Sequence, residues 1–207
     1  MNWLKEQTGL LGDFLRGGFR RTALFCALGM AGAAVLGVAI GLLFPQQAAQ
    51  VLNAFMEQVE QSGVIDEQGQ MSVFALLMSN WRAMLLSAAY GFIPFLFLPL
   101  LSLLSNGVLL GLLGGLVYAG GQSILFYLAG ILPHGIFELT ALVLSIACGV
   151  TLCRNMCDLA VSSQRRVPLP ALLEDLLRVL VLLVAPLTAA AAFLECYVTP
   201  VVMNFFL

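Results

Sequence analysis

His134 and Glu138 stand in Pro133-His134-Gly135-Ile136-Phe137-Glu138, a polar interruption of apolar sequence, with Glu195 far downstream. An ionisable group inside an apolar membrane segment is costly, so it normally faces protein or a water-filled cavity and carries a function. Residues four apart share one helix face, so His134 and Glu138 meet if the segment from Ile136 onward is helical. Three kinds of chemistry fit: local stabilisation of a helix start, a polar network between helices that shapes a binding surface, and proton or ion handling. Catalysis is not expected. A zinc protease motif needs two histidines at helical spacing, and the chain has one histidine. Ser123, Thr140 and Ser145 lack the second histidine or lysine that would activate a nucleophile.

These groups sit in a chain of 207 residues that is 61% hydrophobic and 10% charged. Its mean hydropathy is +1.00. A soluble domain carries roughly 25% charged residues, so there is too little charge here to cover a water-facing surface. The sequence predicts an all-α, polytopic membrane bundle whose first partner is the lipid bilayer. A net charge of −2, without a basic stripe or a phosphate-binding loop, gives no sign of nucleic-acid binding. Cys26, Cys148, Cys153, Cys157 and Cys196 lie in or beside apolar runs, where cysteine packs as a small hydrophobe. Cys153 and Cys157 share a helix face, but His134 is about 19 residues, roughly 28 Å, from Cys153 along a helix. Packing is the expected role, and no metal or cofactor is expected.

A span needs roughly 20 apolar residues, and about five emerge, some kinked or broken. Residues 1–21 read as an amphipathic interfacial helix, with Trp3, Leu10, Leu11 and Phe14 set against Lys5, Glu6, Asp13 and Arg16. The membrane domain then runs over 22–200, followed by an apolar tail at 201–207. The first span, 22–44, is too long for a cleavable signal peptide. It carries Gly37-x-x-x-Gly41, which admits a close helix neighbour, in the same chain or in a second copy. Residues 46–80 form an acidic segment (Glu57, Glu60, Asp66, Glu67) with a turn between Gly63 and Gly69. Its flanks, 48–59 and 71–78, suit short helices lying on the membrane. The second span, 83–104, contains Pro94 and Pro99 and is expected to kink. Ser105-Asn106-Gly107 is read as a turn. The third span, 108–132, is glycine-rich, and a re-entrant hairpin within 83–132 is an open alternative. The fourth and fifth spans are 135–153 and 176–196.

Lys5, Arg16, Arg20 and Arg21 precede the first span, and Arg154, Arg165 and Arg166 lie between the fourth and fifth. The positive-inside rule puts both groups in the cytoplasm, and five spans then put the C-terminus outside. On that topology Arg82, His134, Glu138 and Glu195 come to similar depth near the outer surface, while Asn106 belongs to an inner turn.

At these residues the chain resembles the stage II sporulation protein M family of bacterial and archaeal integral membrane proteins. The resemblance rests on Asn80, on Ser105-Asn106-Gly107 with Gly111, on the Pro133–Glu138 block, and on 191–200, which reads AAFLECYVTP. It implies a multi-pass component of the bacterial cell membrane with Asn106, His134, Glu138 and Glu195 as the matching polar positions. It also implies a part in recruiting membrane-anchored peptidoglycan-degrading proteins during engulfment of the forespore.

The expected function is therefore a non-enzymatic scaffold or localisation component of a cell-envelope complex. Its partners would be envelope or peptidoglycan-remodelling proteins, with a second copy of the chain as a further candidate. The alternative is a transporter or permease subunit using His134, Glu138 and Glu195. Depth separates the two, since a transporter places its site near the midplane.

Overall fold

In the computed structural model, residues 2–61, 64, 71–161 and 167–206 are described. Asp66, Glu67, Gly63, Gly69, Arg165 and Arg166 lie outside the described residues, so the readings that rest on them stay with the sequence. The architecture is all-α, with no strand among the described residues. Nine helices follow in order there: α1 (Asn2–Phe14), α2 (Arg20–Leu43), α3 (Pro45–Gln61), α4 (Val73–Ala89), α5 (Leu98–Ala119), α6 (Ile124–Ala160), α7 (Leu169–Val179), α8 (Ala185–Tyr197) and α9 (Thr199–Met203). Four stretches are long and apolar enough to cross a membrane: Trp3–Leu43, Leu98–Ala119, Ile124–Ala160 and Leu169–Tyr197.

The centre of the packing is the pair α2 and α5. Gly37 and Gly41 of α2 face Gly111 and Gly115 of α5, each pair at backbone contact. A Cβ on Gly111 would fall on the carbonyl oxygen of Ala34, and one on Gly37 on that of Val108. At Gly115 it would lie 2.7 Å from the carbonyl oxygen of Val38. Helices in lipid gain nothing from hydrophobic transfer, so close dispersion contact of this kind must hold them together. The glycine spacing is thus used within the chain. Numbers rise together along the two helices, from Gly29 beside Leu103 to Gly41 beside Gly115, so α2 and α5 run parallel.

Parallel neighbours require the chain to return between them, and α4 makes that return. Near its C-terminus the Ser87 hydroxyl lies 2.8 Å from that of Ser102. Beyond it Gly91 packs on the backbone of Gly149. The 71–78 flank is therefore the start and first turns of this longer helix and not a separate surface helix. The 48–59 flank does form a helix, α3, which packs on α2 and α5.

Two turns differ from expectation. Ser105-Asn106-Gly107 lies inside α5, where the Ser105 hydroxyl and the Asn106 amide both donate to the carbonyl of Ser102, at 3.1 and 2.8 Å. Gly107 is needed there for its approach to Ala33 and Met30 of α2. The breaks fall on either side. One is at 93–97, where Pro94 interrupts the helix and Phe95 and Phe97 take positive φ values of 66° and 46°. The other follows α5, where Gly121 (φ 78°) turns the chain and the Ser123 hydroxyl accepts from Leu125 N–H to begin α6. Pro99 sits in the first turn of α5, where a missing N–H costs nothing. Near Pro186 the ladder widens into a π turn over Leu180–Val184, and the helix continues. Residues 83–132 thus comprise the end of α4, the break at 93–97, α5, a second turn and the start of α6.

Cys153 and Cys157 share a face, as their spacing predicts, and serve the first break. The Cys153 thiol donates to the Ile93 carbonyl at 3.4 Å, and the Phe95 N–H donates to the Cys157 sulfur at 3.1 Å. At the same end α1 packs on α7, where Arg178 donates to Gln7 at 2.8 Å and pairs with Asp175 at 2.6 Å.

Gly111→Ala is expected to destabilise the protein by about 1–3 kcal/mol, because the added methyl must push α2 away. Gly32→Ala, whose methyl would meet nothing within 4 Å, is the control and should stay within about 0.5 kcal/mol. Unfolding of the purified chain in mixed micelles, followed by helical circular dichroism, measures both.

Candidate functional site

α6 carries the polar block. Pro133 lies inside it and leaves a backbone acceptor unpaired one turn back, yet the helix does not end. His134 and Glu138 project from one face one turn apart, with His134 Nε2 3.9 Å from Glu138 Oε2. Antiparallel to this stretch run α8 and α9. Glu195 comes opposite Glu138, Thr199 opposite His134, and Met203 against Gly130 on successive turns. His134 Nδ1 lies 3.0 Å from the Thr199 hydroxyl, which fixes the ring plane. One ligand atom from each of His134, Glu138 and Glu195 lies within 4.8 Å of the other two. Among the described residues neither glutamate pairs with a lysine or arginine.

The two glutamates line a cavity of about 500 Å³. α4 adds Ser79 and Asn80, and α5 adds Asn106. Phe55, Met56 and Val59 of α3 form its roof, and Leu142 and Met84 its floor. Below the floor Ala141, Ile146, Ala147 and Cys148 are fully buried. Then Gly91 and Gly149 meet backbone to backbone. The cavity is therefore closed toward the Arg21–Arg154 end and bounded at the other by α3.

Sequence reasoning brought His134, Glu138 and Glu195 together, and the structure does the same. It misplaced two other residues. Asn106, assigned to an inner turn, lines this cavity, because α5 runs unbroken through it. Arg82, assigned to the outer end of a span with the cluster, lies in the middle of α4 on its exposed face, outside the cavity lining and without an ion pair among the described residues. Asn80 entered the reading as part of an interfacial Asn80-Trp81-Arg82 stretch and through the family resemblance, not as a site residue. A residue four before Met84 on the same face as Leu76 is the positional signal for it.

Depth is also corrected. The expected helix start at 135 set Glu138 one turn inside the membrane. The true start at Ile124 sets it about 21 Å along α6 at 1.5 Å per residue. Its neighbours Leu139 and Thr140 face Ala31 and Ala34 of α2 across a shared groove. Ala34 is about 21 Å from the Arg20 end of that helix and about 14 Å from Leu43. The polar set thus lies near the middle of the apolar thickness and not at a surface.

The family model for stage II sporulation protein M matches residues 22–200. The chain belongs to that family. The match covers α2 through the start of α9 and so includes every residue of the cavity named above. The chain is also 29% identical over 133 residues to an uncharacterised protein of Methanocaldococcus jannaschii, covering 64% of this chain and 74% of that protein. No solved structure matches the chain. Membership in the stage II sporulation protein M family and the apolar helices together make this a membrane protein.

The His134–Thr199 contact is a hydrogen bond of ordinary length joining α6 to α9. A double-mutant cycle with His134→Ala and Thr199→Val is expected to return a coupling of about 0.5–1.5 kcal/mol. Denaturant unfolding of the four proteins in detergent measures it.

Proposed function

We propose that this protein is a non-enzymatic membrane scaffold that localises partner proteins in a cell-envelope complex of a bacterial membrane. α4 would be the fifth span, with the N-terminus in the cytoplasm and the C-terminus outside. Arg20, Arg21 and Arg154 lie toward one end of the bundle, which supports that orientation. The observation that carries the scaffold reading is the one-ended cavity. A pocket closed toward the Arg21–Arg154 end by packed backbone, with α3, Val64 and Met71 along its other margin, suits capture of a segment presented from that margin. Its walls come from Asn80, Asn106, Glu138 and Glu195, within the span that the family model covers. The partners would be membrane-anchored peptidoglycan-remodelling proteins, as the family's description in sporulation suggests.

A second reading, a transporter or permease subunit, draws on the depth of the two glutamates, since transport sites sit near the midplane. The sealed lower half weighs against it, because transport needs access from both sides.

Crosslinking and affinity purification from native membranes separates the two. The wild type is expected to recover peptidoglycan-remodelling proteins, and Glu138→Gln to lose most of that recovery at unchanged protein level. Unchanged recovery from both Glu138→Gln and His134→Ala would remove the cavity as the working surface. Flux into liposomes abolished by Glu138→Gln would establish transport instead. Orientation has its own check, with single cysteines on a cysteine-free background. Ser72→Cys, just before α4, should react with an impermeant maleimide in intact cells, and Gly9→Cys on α1 only after permeabilisation.

A further inference from the structure

We propose that His134, Glu138 and Glu195 bind a divalent first-row transition metal ion, with zinc the best fit, at the margin of the cavity that the two glutamates line. The inference deepens the scaffold reading by giving its cavity a ligand, although metal binding is measured without any partner.

One imidazole and two carboxylates form a donor set common to zinc and its neighbours in the series. Metal–ligand bonds of about 2.0–2.1 Å put tetrahedral donors roughly 3.4 Å apart. The 3.9 Å between His134 Nε2 and Glu138 Oε2, and the 4.8 Å bound on the whole set, are wider by about a torsional adjustment of the glutamates. No backbone shift is needed, because the three residues already sit on matched turns of two antiparallel helices.

Three further observations point the same way. The first is orientation. A metal-bound histidine almost always donates its other ring N–H to an acceptor, which fixes the tautomer. His134 Nδ1 lies 3.0 Å from the Thr199 hydroxyl, and in the tautomer that donates Nδ1–H to it the Nε2 lone pair is left on the side of the glutamates. The second is charge. Two carboxylates close together in a low-dielectric interior cannot both stay ionised unaided, and among the described residues no lysine or arginine faces them, which leaves protonation, the His134 ring or a bound cation to balance them. The third is Asn80, on the α4 wall of the same cavity. Its amide nitrogen is buried without a hydrogen-bond partner. Amide nitrogen and oxygen are assigned from their partners, so turning this group over offers the cavity a carbonyl oxygen in place of an unpaired donor.

The test uses the full chain, purified in detergent, stripped with chelator and titrated with ZnCl2 by calorimetry, with metal content read after desalting. The wild type should hold about one zinc per chain. Glu195→Gln and His134→Ala should each weaken binding by roughly tenfold or more, and Thr199→Val, which touches only the far side of the ring, by about tenfold. Arg82→Gln, outside the cavity, should bind as the wild type does. If Glu195→Gln fails to fold, Thr199→Val and a cobalt(II) absorption spectrum of the wild type carry the same decision. A wild type that retains no more zinc than the Glu138→Gln/Glu195→Gln double variant would overturn the proposal. A wild type that binds zinc but recovers no partner from native membranes would instead count against the scaffold reading alone.

Discussion

The close parallel contact between α2 and α5 is the constraint on which the rest of the structure depends. In lipid, two helices stay together only where their backbones come near enough for dispersion to add up. Here that means Gly37 and Gly41 against Gly111 and Gly115. The contact has two consequences for the cavity. It keeps α5 helical through Asn106, so that residue reaches the cavity wall. It also obliges α4 to cross back between them, which sets Asn80 opposite α6.

Much of the site was legible in the sequence because an ionisable residue in an apolar run is a strong signal. His134, Glu138 and Glu195 were found on that ground, and the helical class followed from composition. The turns were not legible, and the reason is physical. Ser105-Asn106-Gly107 has the composition of a turn, yet the same residues serve a helix when serine and asparagine bond back to Ser102 and glycine meets a neighbour. Only the position of Met30 and Ala33, far away in sequence, decides between the two. The glycines of 108–132 suited either tight helix contacts or a break into two half-helices, and only Gly121, with φ 78°, marks the break. Pro133 read as a boundary, whereas α6 runs through it.

That one misplaced boundary carried the error in depth. Ten residues of α6 precede His134, so charge that composition placed near water lies well inside the bundle. Arg82 shows the reverse limit. Its neighbour Trp81 and its own charge suggest an interface, but helix phase turns it away from the cavity that Asn80 lines. Sequence spacing fixed the partners along one helix, and only the bundle fixed those across helices.

The parallel pairing also orders events during synthesis. Gly111 and Gly115 leave the ribosome 74 residues after Gly37 and Gly41. At elongation rates of about 5–20 residues per second, that is a delay of roughly 4–15 s. Through that interval α2 is in the bilayer without its mate, its glycine groove filled by acyl chains or by the insertion machinery. Assembly of the core is thus an exchange, in which α5 displaces those occupants after α4 has already turned back.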